Sequence, residues 1–376
     1  MVVKKLSMPR FSGINKNPAN FNYAKSGVDI RKGDLASKKL YEASKRTWSA
    51  RKGGASITSD FDDFTGIRYI GTSNLNDVVV GSNSDGIGTK TEVAERLGKF
   101  DTLGFDLLAM VCDDAVVRGG EPVAVTNVLD VNAIDTKAIE QLALGLEKAA
   151  KSANVGVING ELAELGEKIG GYGSMRLNWS ASCIWLANRG KLLKGNELRP
   201  KQSIIALREY GFRSNGFSLV HAVMRREFGD RWHEEELKLS TQILTPSSIY
   251  ARFAASLFGG YFGEPIAHIS AMANITGGGI PSKLGRALKP SGLGARLEYL
   301  FEPSMAMLEV KELGGIRDKD AYSTWNMGNG FMIITDEPEK VLAHAKRFKV
   351  EARIAGTVVK NKGIDIVHDS RVLHFA

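Results

Sequence analysis

One carboxylate and one lysine stand where an apolar run of this chain breaks into small residues, and their company suggests phosphate chemistry. Val78-Val79-Val80 is a β-branched run suited to a buried strand, and Gly81-Ser82-Asn83-Ser84-Asp85-Gly86-Ile87-Gly88-Thr89-Lys90 then has the composition of a loop. Glycines at 81, 86 and 88 allow close backbone approach to a ligand, Asp85 offers a metal ligand, and Lys90 offers a point charge for phosphate. Neither common phosphate loop fits. Ile87 stands where a Walker A loop requires lysine, and Gly86-x-Gly88 lacks the third glycine of a dinucleotide fingerprint. An ordinary glycine-rich turn is the competing reading.

Further acids lie in an apolar stretch from about 101 to 118, where Leu103, Leu107, Met110, Val111, Ala115 and Val116 leave little room for a polar face. Asp106 and Asp113 fall about two turns apart on one side of such a helix, with Asp114 beside them. A buried carboxylate needs a partner, either an arginine such as Arg118 or a cation. Asp114 and Asp85 could converge on one Mg²⁺ held mainly through phosphate oxygens. Farther on, Asn159-Gly160-Glu161-Leu162-Ala163-Glu164 again follows a strand with acids. Thr276-Gly277-Gly278-Gly279-Ile280-Pro281 has the form of an anion-binding turn, with Pro281 suited to the first position of a helix through Leu288. A plain glycine-rich linker competes with that reading.

These residues need elements to position them. Strands are expected near 67–71, 77–81, 122–132, 155–158, 178–187, 203–207 and 331–334, followed by a last pair. Helices are expected near 34–50, 101–118, 136–152, after 218, up to 288 and at 337–348, with 51–66 a mobile loop. Alternating strands and helices make the class α/β (α+β). At 376 residues the chain suits two domains, divided in the polar link 194–202 into 1–196 and 197–376.

Composition narrows the function. The net charge of +8 is concentrated in residues 1–60, where thirteen Lys and Arg face four acids. Such a basic arm could attract nucleic acid, draw phosphorylated substrates toward a site, or be a solvated terminus. Cys112 and Cys183 lack CxxC spacing, so no disulfide framework or thiolate zinc site is offered, and a reducing cytoplasm is expected. No apolar run approaches the ~20 residues of a membrane span.

The ordered series YAKSGVDI (Tyr23 to Ile30), SDGIGTK (Ser84 to Lys90), GFDLLAMVCDDAVVRGGEP (Gly104 to Pro122), GELAE (Gly160 to Glu164), SNGFS (Ser214 to Ser218), ITGGG (Ile275 to Gly279) and Asn326 to Gly330 resembles the aminoimidazole ribonucleotide synthetase, or phosphoribosylformylglycinamidine cyclo-ligase, family. The resemblance implies a two-domain synthetase fold. An N-terminal ATP-binding domain would join its sheet to that of a second copy in a homodimer, and a C-terminal domain would close over a phosphorylated small molecule. ATP and Mg²⁺ are the implied cofactors. The implied reaction in purine biosynthesis is phosphoryl activation of an amide oxygen of formylglycinamidine ribonucleotide, then ring closure to aminoimidazole ribonucleotide with release of ADP and phosphate. Carried over, Asp85 and Asp114 would hold metal; Lys90, Thr89, Gly86, Gly88, Asp106, Gly160 and Glu161 would serve the nucleotide; Ser214, Asn215, Asn274, Thr276, Gly277, Gly278 and Gly279 would hold the ribonucleotide. Another ATP-dependent enzyme of that superfamily, acting on a different phosphorylated molecule, is the second reading. A non-catalytic nucleotide or nucleic-acid binder is the third.

The chain departs from the family pattern where HSNG and AHITGGG would place histidines: Arg213 precedes Ser214, and Asn274 precedes Ile275. Neither replacement can exchange protons near neutral pH. Arg213, beside Asn215, is therefore expected to grip a substrate phosphate or the activated oxygen with its planar fork.

Overall fold

A computed structural model describes residues 77–261 and 263–376, together with the strand backbones at 55–58 and 68–72; nothing is described of the side chains of residues 158 and 159. The basic arm, the expected helix at 34–50 and the YAKSGVDI motif lie outside the described residues, as does most of the 51–66 stretch.

Two sheets organise the chain. The first contains β1 (Ala55–Thr58), β2 (Arg68–Thr72), β3 (Val78–Gly86), β4 (Glu121–Val131), β5 (Gly156–Glu164) and β6 (Leu177–Asn188), in the order β1-β2-β3-β6-β4-β5. Its pairs are antiparallel except β4 with β5. The second contains β7 (Ser203–Arg208), β8 (Ile269–Asn274), β9 (Gly294–Leu297), β10 (Asn329–Thr335), β11 (Ala352–Val359), β12 (Gly363–His368) and β13 (Arg371–Phe375), in the order β13-β12-β9-β11-β7-β10-β8. Three strands, not two, therefore close the chain. The stretch 55–58 pairs with β2 although its local composition reads as loop.

Burial follows the side-chain period. β6 alternates buried and half-exposed residues along its length, so among the described residues one face of the first sheet is covered and the other is partly exposed. The covering helix, Leu103–Val116, is buried at all but two positions, as its apolar sequence requires. It lies against the amphipathic helix Thr136–Ala153, and the crossing is close. A Cβ on Gly104 would meet the Gly145 backbone at 2.5 Å, so this contact exists only because glycine occupies the position. In the second sheet β8 and β10 are buried throughout. The Leu103–Val116 helix also packs on Ala251–Leu257, which joins the two sheets into one body and brings the ends of β3 and β8 together.

Candidate active site between the ends of β3 and β8

β3 carries Asp85 and Gly86 to its end, where the Gly86 N–H donates to Asp85 Oδ1 at 2.7 Å. The chain then enters the short turn Gly88–Lys90, with Gly88 at φ 69°, a left-handed value that favours glycine. A Cβ at Gly88 would lie 3.9 Å from the Ser214 carbonyl, so this loop abuts Ser214-Asn215. Asn215 in turn faces the other glycine loop, since a Cβ at Gly277 would lie 3.4 Å from Asn215 Nδ2. Thr276-Gly277-Gly278 leads from β8 into the helix Gly279–Leu288. Pro281 is the third helical residue, not the first. Gly279 is required by packing as well, because a Cβ there would collide with the Tyr322 carbonyl at 2.0 Å.

Asp114 completes the cluster from the last turn of the Leu103–Val116 helix. Asn274, at the end of β8, donates from Nδ2 to Asp114 Oδ1 at 2.7 Å. Asp85 opens to solvent at the rim but is hemmed in by protein on its other sides. That desolvation, with the nearby Asp114 charge, pushes it up to about 6 against the opposing Gly86 N–H and Lys283 charge. The cleft beside Asp114 and Asn274 is a small cavity of about 60 Å³, also lined by Arg118, Lys283 and Arg286. Two carboxylates thus meet several cations and a glycine turn at a helix start. Such an arrangement accommodates a phosphate and its counter-ion.

The donor set suits Mg²⁺ bound through a ligand's phosphates. Among the described residues no group of three or more His, Cys, Asp or Glu side chains could form an all-protein cage. Mg²⁺ commonly takes one or two carboxylates and completes its shell with water and phosphate oxygens. The like-charged Asp85 and Asp114 supply that number. With Asp85 raised from 3.8 to about 6, the cation-free folded state binds more protons than the unfolded chain between those values, so its stability falls as pH rises through that window. A cation offsets the repulsion only where both groups are ionised. Millimolar Mg²⁺ is therefore expected to raise Tm by about 2 °C at pH 7.5, at roughly tenfold over its dissociation constant, and scarcely at pH 5. Equal shifts in differential scanning fluorimetry at the two pH values would place the cation elsewhere.

Three expected ligand contacts are corrected by burial. The Lys90 side chain has no exposed surface; its ammonium donates to Asp106 Oδ1 at 2.7 Å and to the Thr245 carbonyl at 2.6 Å. Asp106, equally buried, also accepts from the Ser247 N–H at 3.1 Å and hydroxyl at 2.5 Å, so it faces no nucleotide. Arg213 is likewise fully enclosed. It donates to Asp113 Oδ2 at 2.8 Å, Glu209 Oε2 at 3.2 Å and the carbonyls of Ala109 and Ser248. It therefore grips protein carboxylates and not a substrate. Its backbone is left-handed, at φ 59°. Burial raises Asp113 to about 7, even though Arg213 opposes the shift.

The remaining expected residues divide by position. Thr89 is exposed on the glycine loop, where its carbonyl meets His221 Nε2 at 2.9 Å. Gly160 and Glu161 are exposed, but they lie within β5, paired with Asn127 and Val128, not in a loop after the strand. β5 is three strand spacings from β3, about 14 Å, so this protomer alone does not bring them to Asp85. The sequence reading missed Lys283 and Arg286. Their signal was available, since positions 283 and 286 fall on one face of the helix that the glycine turn starts. It also missed Glu209, four residues before Arg213.

The chain matches models of the AIR synthase related protein N-terminal domain over residues 73–176 and C-terminal domain over residues 199–369. It is 31% identical over 313 residues to a phosphoribosylformylglycinamidine cyclo-ligase of Thermoplasma acidophilum, covering 81% of this chain and 88% of that protein. It is 30% identical over 352 residues to the protein of the same name from Pseudothermotoga lettingae, covering 92% and 99%. Among solved structures, the hydrogenase maturation protein HypE in complex with ATP shares the fold. The TM-score is 0.57 at 13% identity, over 79% of this chain and 84% of that one.

Proposed function

The chain belongs to the AIR synthase related family, and from that premise we propose that it is an ATP-dependent phosphoribosylformylglycinamidine cyclo-ligase of purine biosynthesis. Formylglycinamidine ribonucleotide and ATP are converted to aminoimidazole ribonucleotide, ADP and phosphate. The observation that carries this reading is the meeting of Asp85, Asp114 and the Thr276–Gly279 turn at the ends of β3 and β8.

An amide oxygen is a poor leaving group; once it carries a phosphoryl group from ATP, a ring-forming nitrogen displaces phosphate and the imidazole closes. Catalysis then rests on holding the reacting atoms together and neutralising the charge on phosphate. Asp85 and Asp114 would hold Mg²⁺, which when bound neutralises phosphate charge. Lys283 and Arg286 add positive charge along the same cleft from the first two turns of the Gly279–Leu288 helix, whose Gly279 N–H is taken by the Thr276 carbonyl and whose Pro281 has no N–H to offer. Gly88 lets the backbone turn at the end of β3 with only the Ser214 carbonyl nearby, and Gly86 fits close against Trp179 of β6. Ser214, Asn215 and Thr276 orient the ribonucleotide. Arg213 and Asn274 act on protein carboxylates, and neither exchanges a proton at neutral pH.

The enzyme works as a homodimer in the cytoplasm. The support for a dimer is the partly exposed face of the first sheet, where Val80, Ile184 and Leu186 are half-buried and Val128 is 42% exposed. A second copy of that face would cover it and bring Gly160 and Glu161 of one sheet toward the nucleotide of the other. No helix among the described residues is long and apolar enough to cross a membrane. Val128→Lys is expected to weaken self-association by roughly 30-fold, equivalent to about 2 kcal/mol for a charge in an apolar interface. Light scattering over a dilution series checks this, and an unchanged mass would remove the face from the interface.

The reaction is tested directly by incubating the protein with ATP, Mg²⁺ and formylglycinamidine ribonucleotide and assaying aminoimidazole ribonucleotide and ADP. ADP formed without the imidazole, and only with another phosphorylated acceptor, would replace the cyclo-ligase assignment.

A further inference from the structure

We propose that Asn274 is a positioning residue: it fixes the Asp114 carboxylate for a divalent cation that arrives with nucleotide phosphates. The proposal rests on the reading of the Asp85 and Asp114 pair given above and adds a residue to it. β8 is buried from Ile269 to Asn274, and its last residue is only 3% exposed. A polar amide in such a place is disfavoured unless its bonds serve something. Asn274 Nδ2 donates to Asp114 Oδ1 at 2.7 Å across 160 residues of chain. An ionised carboxylate only accepts, so this bond sets the amide orientation and makes Oδ1 the leftover atom. Oδ1 is buried with no hydrogen-bond partner among the described residues. A residue selected for packing alone would leave no such orphan, and an apolar side chain would suit the strand better.

Asp114 needs the help. It sits in the last turn of the Leu103–Val116 helix, at the negative end of the helix dipole, and no basic residue occupies that turn. The Asp85 carboxylate is close enough for Asp114 to raise it. Left to itself, Asp114 would swing away from both. The amide ties one oxygen, Oδ1, to β8 while the Asp114 side chain lines the cleft. A hydrogen-bond donor behind a metal-binding carboxylate fixes its direction in this manner, and loss of such a partner typically lowers metal affinity by about 10–100-fold.

The test uses the full chain, Mn²⁺ and a non-hydrolysable ATP analogue, with bound Mn²⁺ read by electron paramagnetic resonance and Tm recorded in parallel. Asn274→Leu keeps the branched outline and loses the donor; its affinity for Mn²⁺ is expected to fall about 10–100-fold, and Asn274→His, which restores an N–H donor, is expected to recover to within about threefold of the parent. Asn274→Ala gives the same readout should the leucine variant not fold. Because Asn274 acts through Asp114, Asn274→Leu is expected to add nothing in an Asp114→Asn background. Unchanged Mn²⁺ affinity in Asn274→Leu, or full additivity with Asp114→Asn, would overturn the positioning role while leaving the cyclo-ligase reading intact. A parent protein that binds no metal–nucleotide would overturn both.

Discussion

Arg213→Met is expected to lower the free energy of unfolding by about 3–5 kcal/mol, the range seen when one partner of a buried ion pair is removed. The side chains of Arg213, Asp113 and Glu209 have no exposed surface, so deleting the guanidinium strands two carboxylates away from water. Each retains hydrogen bonds, Asp113 from the Tyr250 N–H at 2.9 Å and Glu209 from the Ser248 N–H at 3.2 Å, but neither keeps a positive neighbour within the cluster. The sign of the pH dependence follows. Burial already holds Asp113 at about 7, above its ordinary 3.8, and raises Glu209, while Arg213 opposes both shifts. Without the arginine both carboxyls rise further. Folding then favours their protonated forms, and stability declines as pH climbs from the unfolded value through the folded one. The deficit of the variant is therefore expected to be larger at pH 8 than at pH 5 in urea denaturation. A deficit below about 1 kcal/mol at both pH values would contradict the buried pairing. Arg213→Lys retains the charge but not the fork that reaches four acceptors, and should fall between parent and methionine variant.

Asp114→Asn is expected to reduce Mg·ATP affinity and turnover by about 100-fold or more, beyond the effect of losing a partner behind a metal ligand. Fold stability should change little. Asp114 is only half-buried, the substitution preserves volume, and Asn274 can still donate to the new amide oxygen. Calorimetric titration of Mg·ATP separates this result from that of Arg213→Met, which acts on the folded fraction and not on the cation. Equal affinity of parent and Asp114→Asn would remove Asp114 from the metal site.

The contrast between these variants marks what local sequence can and cannot specify here. The β-branched run placed the start of β3, though the strand runs on past the expected end at 81 and carries Asp85 and Gly86, and the apolar stretch with three acids placed the helix that carries Asp106, Asp113 and Asp114. Three glycines after Ala273-Asn274-Ile275-Thr276 placed the turn into Gly279–Leu288. Those features depend on side-chain period and backbone freedom, which neighbouring residues set among themselves. Strand ends were less legible. β5 runs on through Gly160 and Glu161 because β4 offers backbone partners that composition does not announce, and 55–58 becomes a strand because β2 lies beside it.

Only tertiary structure decided which charges meet a ligand. Asp113 and Asp114 are neighbours, yet about 100° of helical rotation turns one into the joint with Arg213 and the other toward the cleft. Lys90 follows a glycine loop as a phosphate-binding lysine would. Its ammonium instead meets Asp106 and the carbonyl of Thr245, 155 residues away, a pairing no spacing encodes. Arg213 is four residues from Glu209 but a hundred from Asp113. In water the Lys90 ammonium or the Arg213 guanidinium would suit a phosphate, and the carboxylates a cation. Once two sheets close around them, the strong penalty for an unpaired buried charge selects protein partners, whereas Asp114 stays half-exposed along the cleft with Asp85 near it.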